Sequence, residues 1–246
     1  MSKYGIPPLA DTSATYADED YIDLGNKIAK QLDLLRQPNG WNLTNSGDEH
    51  CTIYTRKNGL PEAKENMLLL TTEMPAPLFV VEKLLAPWGN YRLLWDDLLD
   101  DIAVLATMPE ETYIVHHLVK KRITLSVRES VDLVQVHRSH NRVMFASCGT
   151  SHGSTPATRN YTRTHQYIGG YILDVVSDTS TRVTMIFHAD LNLPGPKIMT
   201  SLADRFKPKL MLDNARALRS GIKKYQDDII ANLKDKDQRV ANGVTA

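Results

Sequence analysis

Only two cysteines, Cys51 and Cys148, occur in 246 residues. That is too few for a disulfide framework, and it points to a reduced, intracellular protein. The sequons Asn42-Leu-Thr44 and Asn160-Tyr-Thr162 therefore carry no weight as glycosylation sites. Charge of one sign is not in excess either. The 29 basic residues balance 29 acidic ones, so no overall field draws the chain to nucleic acid. No apolar run reaches the roughly 18–20 residues of a membrane span. The opening segment, MSKYGIPPLADTSATYADED, lacks the apolar core of a secretion signal. Glycine-rich phosphate loops are missing, and no cofactor is expected.

What is present is a single ordered domain. Residues 1–17 read as a loose tail and 236–246 as another, with one domain over 18–235. Asp18 opens a helix whose Ile22, Gly25, Ile28, Leu32 and Leu35 follow helical spacing, and Pro38-Asn39-Gly40 should end it. Three short strands follow, in GWNLT, CTIYTRK and MLLLTTEM. Ala76 to Leu85 and Tyr91 to Leu99 then read as short helices. Six β-rich runs fill the middle of the chain: IAVLATM, TYIVHHLVKK, ESVDLVQVH, RVMFASC, HQYIGGYILDVV and TRVTMIFHADL. A long helix begins at Pro196, with Ile198, Leu202, Phe206 and Leu210 on one stripe and a kink expected at Pro208. The order predicts an α+β fold in which nine antiparallel strands curl and one terminal helix closes them over an internal cavity.

Gly149-Thr-Ser151-His152-Gly153 fits the G-x-S-x-G pattern of serine hydrolases. The pattern needs a strand before the serine and a helix after it. RVMFASC supplies the strand, but GSTPATRNYTRT, with Pro156 in its middle, cannot start a helix. Ser151 is therefore read as part of a polar connection, and no catalytic residue is assigned. His116 and His117 are neighbours on a strand and face opposite sides, so they cannot share a metal ion. Gly169-Gly170 lies inside a strand and marks a bulge.

A further set of landmarks carries a family resemblance. They are Gly40-Trp41, Tyr91-Arg-Leu-Leu-Trp95-Asp96, Tyr113-Ile-Val-His-His117, Arg128-Glu129, Tyr161-Thr-Arg163 and Asp190-Leu-Asn-Leu-Pro194-Gly before LADRFKPKLMLDNARALRSGI. In order and spacing the chain resembles the StAR-related lipid-transfer (START) domain family from about Asp18 to Tyr225. The resemblance implies a helix-grip fold that holds one lipid beneath the C-terminal helix and transports or senses it without catalysis. Two alternatives stay open: binding of a sterol or another apolar small molecule, and a helix-grip enzyme such as a cyclase or esterase.

The resemblance also implies site residues. Arg92 matches the arginine that holds phosphate in phosphatidylcholine-selective members, although an ion pair with Asp96, four residues on, would use the same group. Tyr167 matches one position of the aromatic choline cage. The other positions read His117, Ser130 and His188, which cannot build that cage. The acidic position of ceramide-selective members falls on Ala106. The buried acid–arginine pair of cholesterol-type members falls on His117 and Val134. By alternation Val104, Val115, Val134 and Ile186 should line the tunnel, with Ile198, Leu202 and Phe206 as its roof. A glycerophospholipid is the favoured ligand, a sterol the other possibility.

Two acyl chains bury about 30 methylenes, worth about 24 kcal/mol at ~0.8 kcal/mol each. A bilayer offers nearly the same, so exchange is close to neutral if the chains never cross water. Lys120, Lys121 and Arg122 beside Ile123 and Leu125 are the expected gate, touching the membrane transiently. The expected state is a cytoplasmic monomer, peripheral to membranes.

Overall fold

A computed structural model describes residues 15–37, 39–44, 48–57, 65–121, 126–156, 158, 160–193 and 197–241, the last without the side chains of 197–203, 205 and 236–241. Helix α1 covers Asp18–Leu35. No side chain caps its start, but Asp18, Glu19 and Asp20 place negative charge in its first turn, where the helix dipole favours it. The Trp41 indole donates to the Leu35 carbonyl at 3.0 Å and satisfies one orphan acceptor at its far end. Strands β1 (Asn42–Thr44), β2 (Cys51–Arg56) and β3 (Met67–Met74) follow. Helix α2 spans Leu78–Leu85, and α3 is a single turn, Arg92–Trp95. The helix expected over Tyr91 to Leu99 is thus shorter, because Asp96 turns the chain and Leu99 already opens β4.

The meander then runs β4 (Leu99–Met108), β5 (Thr112–Val119), β6 (Arg128–Ser139), β7 (Arg142–Gly149), β8 (Thr162–Arg163), β9 (His165–Ser177) and β10 (Ser180–Asp190). Among the described residues there are ten strands, one more than the expected nine. The extra one is β8, which runs parallel to Arg128–Glu129 of β6 just where β7 has ended at Gly149. The order is β1-β2-β3-β10-β9-β7-β6-β5-β4, antiparallel throughout this path, and its two edge strands do not meet to close a barrel.

Helix α4, Lys197–Ala241, continues past the expected fraying point near 235. Residues 234–241 contain no glycine or proline, so nothing in them breaks the helix. Pro208 lies inside it. Among the described residues no helix is long and apolar enough to cross a membrane.

The sheet separates two cores. On its outer face α1 buries Tyr21, Ile28 and Leu32 against Ile114, Leu133 and Ile172. Gly25 permits the close approach, since a Cβ there would meet Gln135 Oε1 at 2.4 Å. On the inner face α2 and α4 bury Val80, Leu84, Leu218 and Ile222 against Val115, Leu173 and Val183. The two cores follow from alternation along each strand.

Among the described residues these ladders shift register at four places, two of which bear on the site. In β4 the register shifts between Val104 and Ala106, and in the β9–β10 pair between His188 and Ala189, leaving Tyr167 as the extra residue. The bulge expected at Gly169-Gly170 therefore sits a few residues earlier. Gly170 has a different task. Its φ is +148° and a Cβ would lie 1.9 Å from the Phe145 carbonyl oxygen, so only glycine fits against β7.

Candidate functional site

Between the inner face of the sheet and α4 lies a cavity of about 320 Å³. One end of the inner face is filled by Trp88, stacked on Tyr113 at 4.0 Å and tilted against Phe145 at 6.0 Å. Beyond that plug the wall is mostly apolar: Leu85, Ile102, Val119, Val134, Met185 and Met211 contribute. Strand β6 presents its even-numbered residues, Arg128, Ser130, Asp132 and Val134, and β5 presents His117 and Val119 opposite them. From α4 come Lys207, Leu210, Met211 and Asn214, the i, i+3, i+4, i+7 stripe of one helix face.

Three polar groups lie on the α3, β5 and β6 part of this wall. The first is Arg92. Its Nη2 lies 2.6 Å from Asp96 Oδ2 and donates to Tyr171 Oη at 3.1 Å, and its Nη1 reaches the Leu85 carbonyl at 3.4 Å. The guanidinium also sits 4.7 Å over the Trp95 ring. Burial opposes its charge, but Tyr171 and Asp96 outweigh that and raise its pKa above the ordinary value. Of the two readings left open for Arg92, the ion pair is the one seen.

The second group is His117, whose Nδ1 is 3.0 Å from Asp132 Oδ2. Ser130 Oγ donates to the same oxygen at 2.6 Å. Serine, histidine and aspartate are thus adjacent, yet they form no relay. In a catalytic triad the serine bonds the far ring nitrogen of the histidine, whereas here both lean on one carboxylate oxygen. Asp132 Oδ1 is buried and has no hydrogen-bond partner among the described residues.

The third is Arg128, at the end of the cavity where β5 and β6 are joined. It is 5% exposed, and its guanidinium donates only to the carbonyl and hydroxyl of Ser126 among the described residues. Burial alone pushes its pKa below the ordinary value, with no carboxylate to offset it.

The sequence-predicted residues divide sharply. Arg92, His117, Ser130, Val134 and Ile186 border the cavity. Tyr167 and His188 do not. The bulge turns Tyr167 to the outer face, and His188, two residues from the outer-core Ile186, faces the same side; their rings lie 4.9 Å apart beside His165. Burial and nearby Lys207 lower the His188 pKa to about 4. The bulge in β4 likewise puts Ala106 against the α1 core, and Val104 is 36% exposed on the edge strand. Val115 is fully buried in the packed part of the inner core rather than at the cavity wall. Phe206 is half-buried and off the wall, because four-residue steps drift around a helix of 3.6 residues per turn. The side chains of Ile198 and Leu202 lie outside the described residues, as do Arg122, Ile123 and Leu125 of the expected gate. Lys120 and Lys121 are exposed, and Lys120 borders the cavity mouth.

Arg128, Asp132 and Tyr171 were not anticipated. Two of them were within reach, since Ser130 and Val134 facing inward place Arg128 and Asp132 on the same side of β6. The serine pattern behaves as read. Ser151 follows β7 in a non-helical connection and its carbonyl accepts the Tyr21 hydroxyl at 2.7 Å. Asp174, on β9, is held by Arg142 at 2.6 Å. His116 pairs with Glu129 at 3.0 Å on the outer face, opposite His117. Among the described residues no cluster of three or more His, Cys, Asp or Glu side chains suits a metal ion.

A sheet gripping a long C-terminal helix over a hollow defines a helix-grip domain. The chain belongs to the START domain family, whose model matches residues 28–224. Solved structures agree in fold. Human StAR-related lipid transfer protein 5 is 19% identical, with a TM-score of 0.77 over 85% of this chain and 100% of that one. Human STARD10 is 15% identical, with a TM-score of 0.72 over 97% of this chain and 93% of that one. A STAR-related lipid transfer protein fragment from Xanthomonas axonopodis gives 0.62 at 17% identity, over 75% of this chain and 99% of that one.

Proposed function

We propose that the protein binds one lipid in the cavity and passes it between membranes as a carrier, without chemical change. Family membership supports lipid binding and transfer in general, and the single observation that carries the reading here is the apolar hollow beneath α4. Lipid bound there gains what it would gain in a bilayer, so loading and unloading cost little net free energy. Serine and histidine of this wall share one aspartate oxygen and form no relay, which favours a carrier over an esterase.

The favoured ligand from sequence, a glycerophospholipid, keeps the support of the basic groups at the mouth, while a hollow of about 320 Å³ suits one chain better than two. The phospholipid loses the support of Arg92, which already has its counter-charge. Lys120 and Lys121 at the mouth suit a transient contact with an anionic, cytoplasmic membrane surface.

The test is transfer of a fluorescent phospholipid between donor and acceptor vesicles, with native mass spectrometry of the loaded protein. Catalysed transfer with one lipid per chain supports the reading. No acceleration over the protein-free rate, and no lipid carried, would overturn it.

A further inference from the structure

We propose that Arg128 makes the cavity selective for an anionic amphiphile, with a carboxylate or phosphate monoester head on one apolar tail, the head seated at the β5–β6 end. This rests on the lipid-binding reading and specifies its ligand. A guanidinium that is 5% exposed ordinarily has a carboxylate beside it, because an uncompensated buried charge is costly. Each other buried or half-buried arginine at this end obeys that rule: Arg92 has Asp96 and Arg163 has Glu129 at 3.1 Å. Arg128 has only the Ser126 oxygens, and its Nε makes no hydrogen bond among the described residues. The remaining residues of the β5–β6 connection, Arg-Ile-Thr-Leu, contain no acid.

No counter-charge comes from the described residues, and Arg128 borders the cavity where a ligand would supply one. The guanidinium fork suits a carboxylate or phosphate, which it grips with two parallel hydrogen bonds. Lys120 at the same mouth adds positive charge of the same sense. The apolar wall beyond it receives the tail. At about 320 Å³ the cavity lies near the lower end of the ~300–1,000 Å³ range of small-molecule pockets, which favours one tail over two.

The experiment is calorimetric titration of the protein with laurate, dodecyl phosphate, dodecanol and inorganic phosphate, repeated on Arg128→Met. The wild type should bind laurate and dodecyl phosphate about 10- to 100-fold more tightly than dodecanol. Arg128→Met should lose that preference, keep its dodecanol affinity and melt no lower than the wild type, since it sheds an unpaired buried charge. Equal wild-type affinity for laurate and dodecanol overturns the anion site while leaving lipid binding intact. Binding of none of the amphiphiles overturns this inference, while transfer of the fluorescent phospholipid between vesicles decides the carrier reading on its own. Inorganic phosphate binding as tightly as dodecyl phosphate makes the site one for a free anion and overturns the amphiphile. Should Arg128→Met not fold, the wild-type comparison decides the matter alone.

Discussion

Arg92 and Asp96 hold one another at 2.6 Å across the single turn of α3, at the cavity wall, with the guanidinium over the Trp95 ring. The pair closes a network rather than opening a site, since Asp96 also accepts from the Leu98 amide at 3.1 Å. Removing the carboxylate strands a buried guanidinium. Asp96→Ala should therefore cost about 3–5 kcal/mol of stability, more than Arg92→Met, after which the Asp96 carboxylate still accepts from the Leu98 amide. Urea unfolding of both variants checks this, and equal losses would contradict it.

Gly170 stands at φ +148° with the Phe145 carbonyl where a side chain would begin. Gly170→Ala should destabilise by at least ~2 kcal/mol, because neither β7 nor the backbone at that position can yield cheaply. Gly169→Ala meets only the end of the Gln166 side chain, at 2.8 Å, which can swing away. The contrast between the two in thermal melts is the measurement, and similar midpoints would refute the close-approach argument.

The same stretch explains what sequence could and could not reveal. Helix α1, the strand meander and the terminal helix were legible because apolar spacing and turn residues set them locally. The wall was legible wherever alternation ran unbroken, as along β6 from Ser130 to Val134. It failed at Tyr167 and Ala106, each beside a register shift that reverses which residues face inward, and at His188, whose neighbours Phe187 and Ala189 take the cavity side instead. Such a shift depends on the partner strand, and nothing in the residues themselves announces it. Arg128 shows in the sequence only as a landmark, because its missing partner is a fact of three dimensions.

His188 is fully buried on the outer face with its pKa lowered to about 4, chiefly by burial. The unfolded chain takes up its proton near pH 6.5, the folded chain only near pH 4. Stability from this group is therefore complete above about pH 6.5 and falls as pH drops toward 4, by about 3 kcal/mol in all. His165, also lowered by burial, contributes in the same direction. Urea unfolding between pH 7 and 4.5 should show the loss, and His188→Leu should flatten the slope while leaving the smaller His165 share. An unchanged slope in the variant would remove His188 as the cause.

Lys120 and Lys121 leave β5 exposed to solvent, directly beside the mouth that Lys120 and Arg128 border. A basic segment near an anionic bilayer gains about 1 kcal/mol per charge, enough for docking that remains reversible. Lys121→Glu with Arg122→Glu reverses two of those charges, so transfer between anionic vesicles should slow by tenfold or more. The thermal midpoint should hold, because Lys121 makes no ion pair among the described residues. At ~1 M salt, where the screening length falls to ~3 Å, wild type and variant should converge. Between neutral vesicles the two should also transfer at the same rate. If the variant matches the wild type on anionic vesicles at low salt, the β5–β6 connection is not where the lipid passes, and the exit has to be sought along α4.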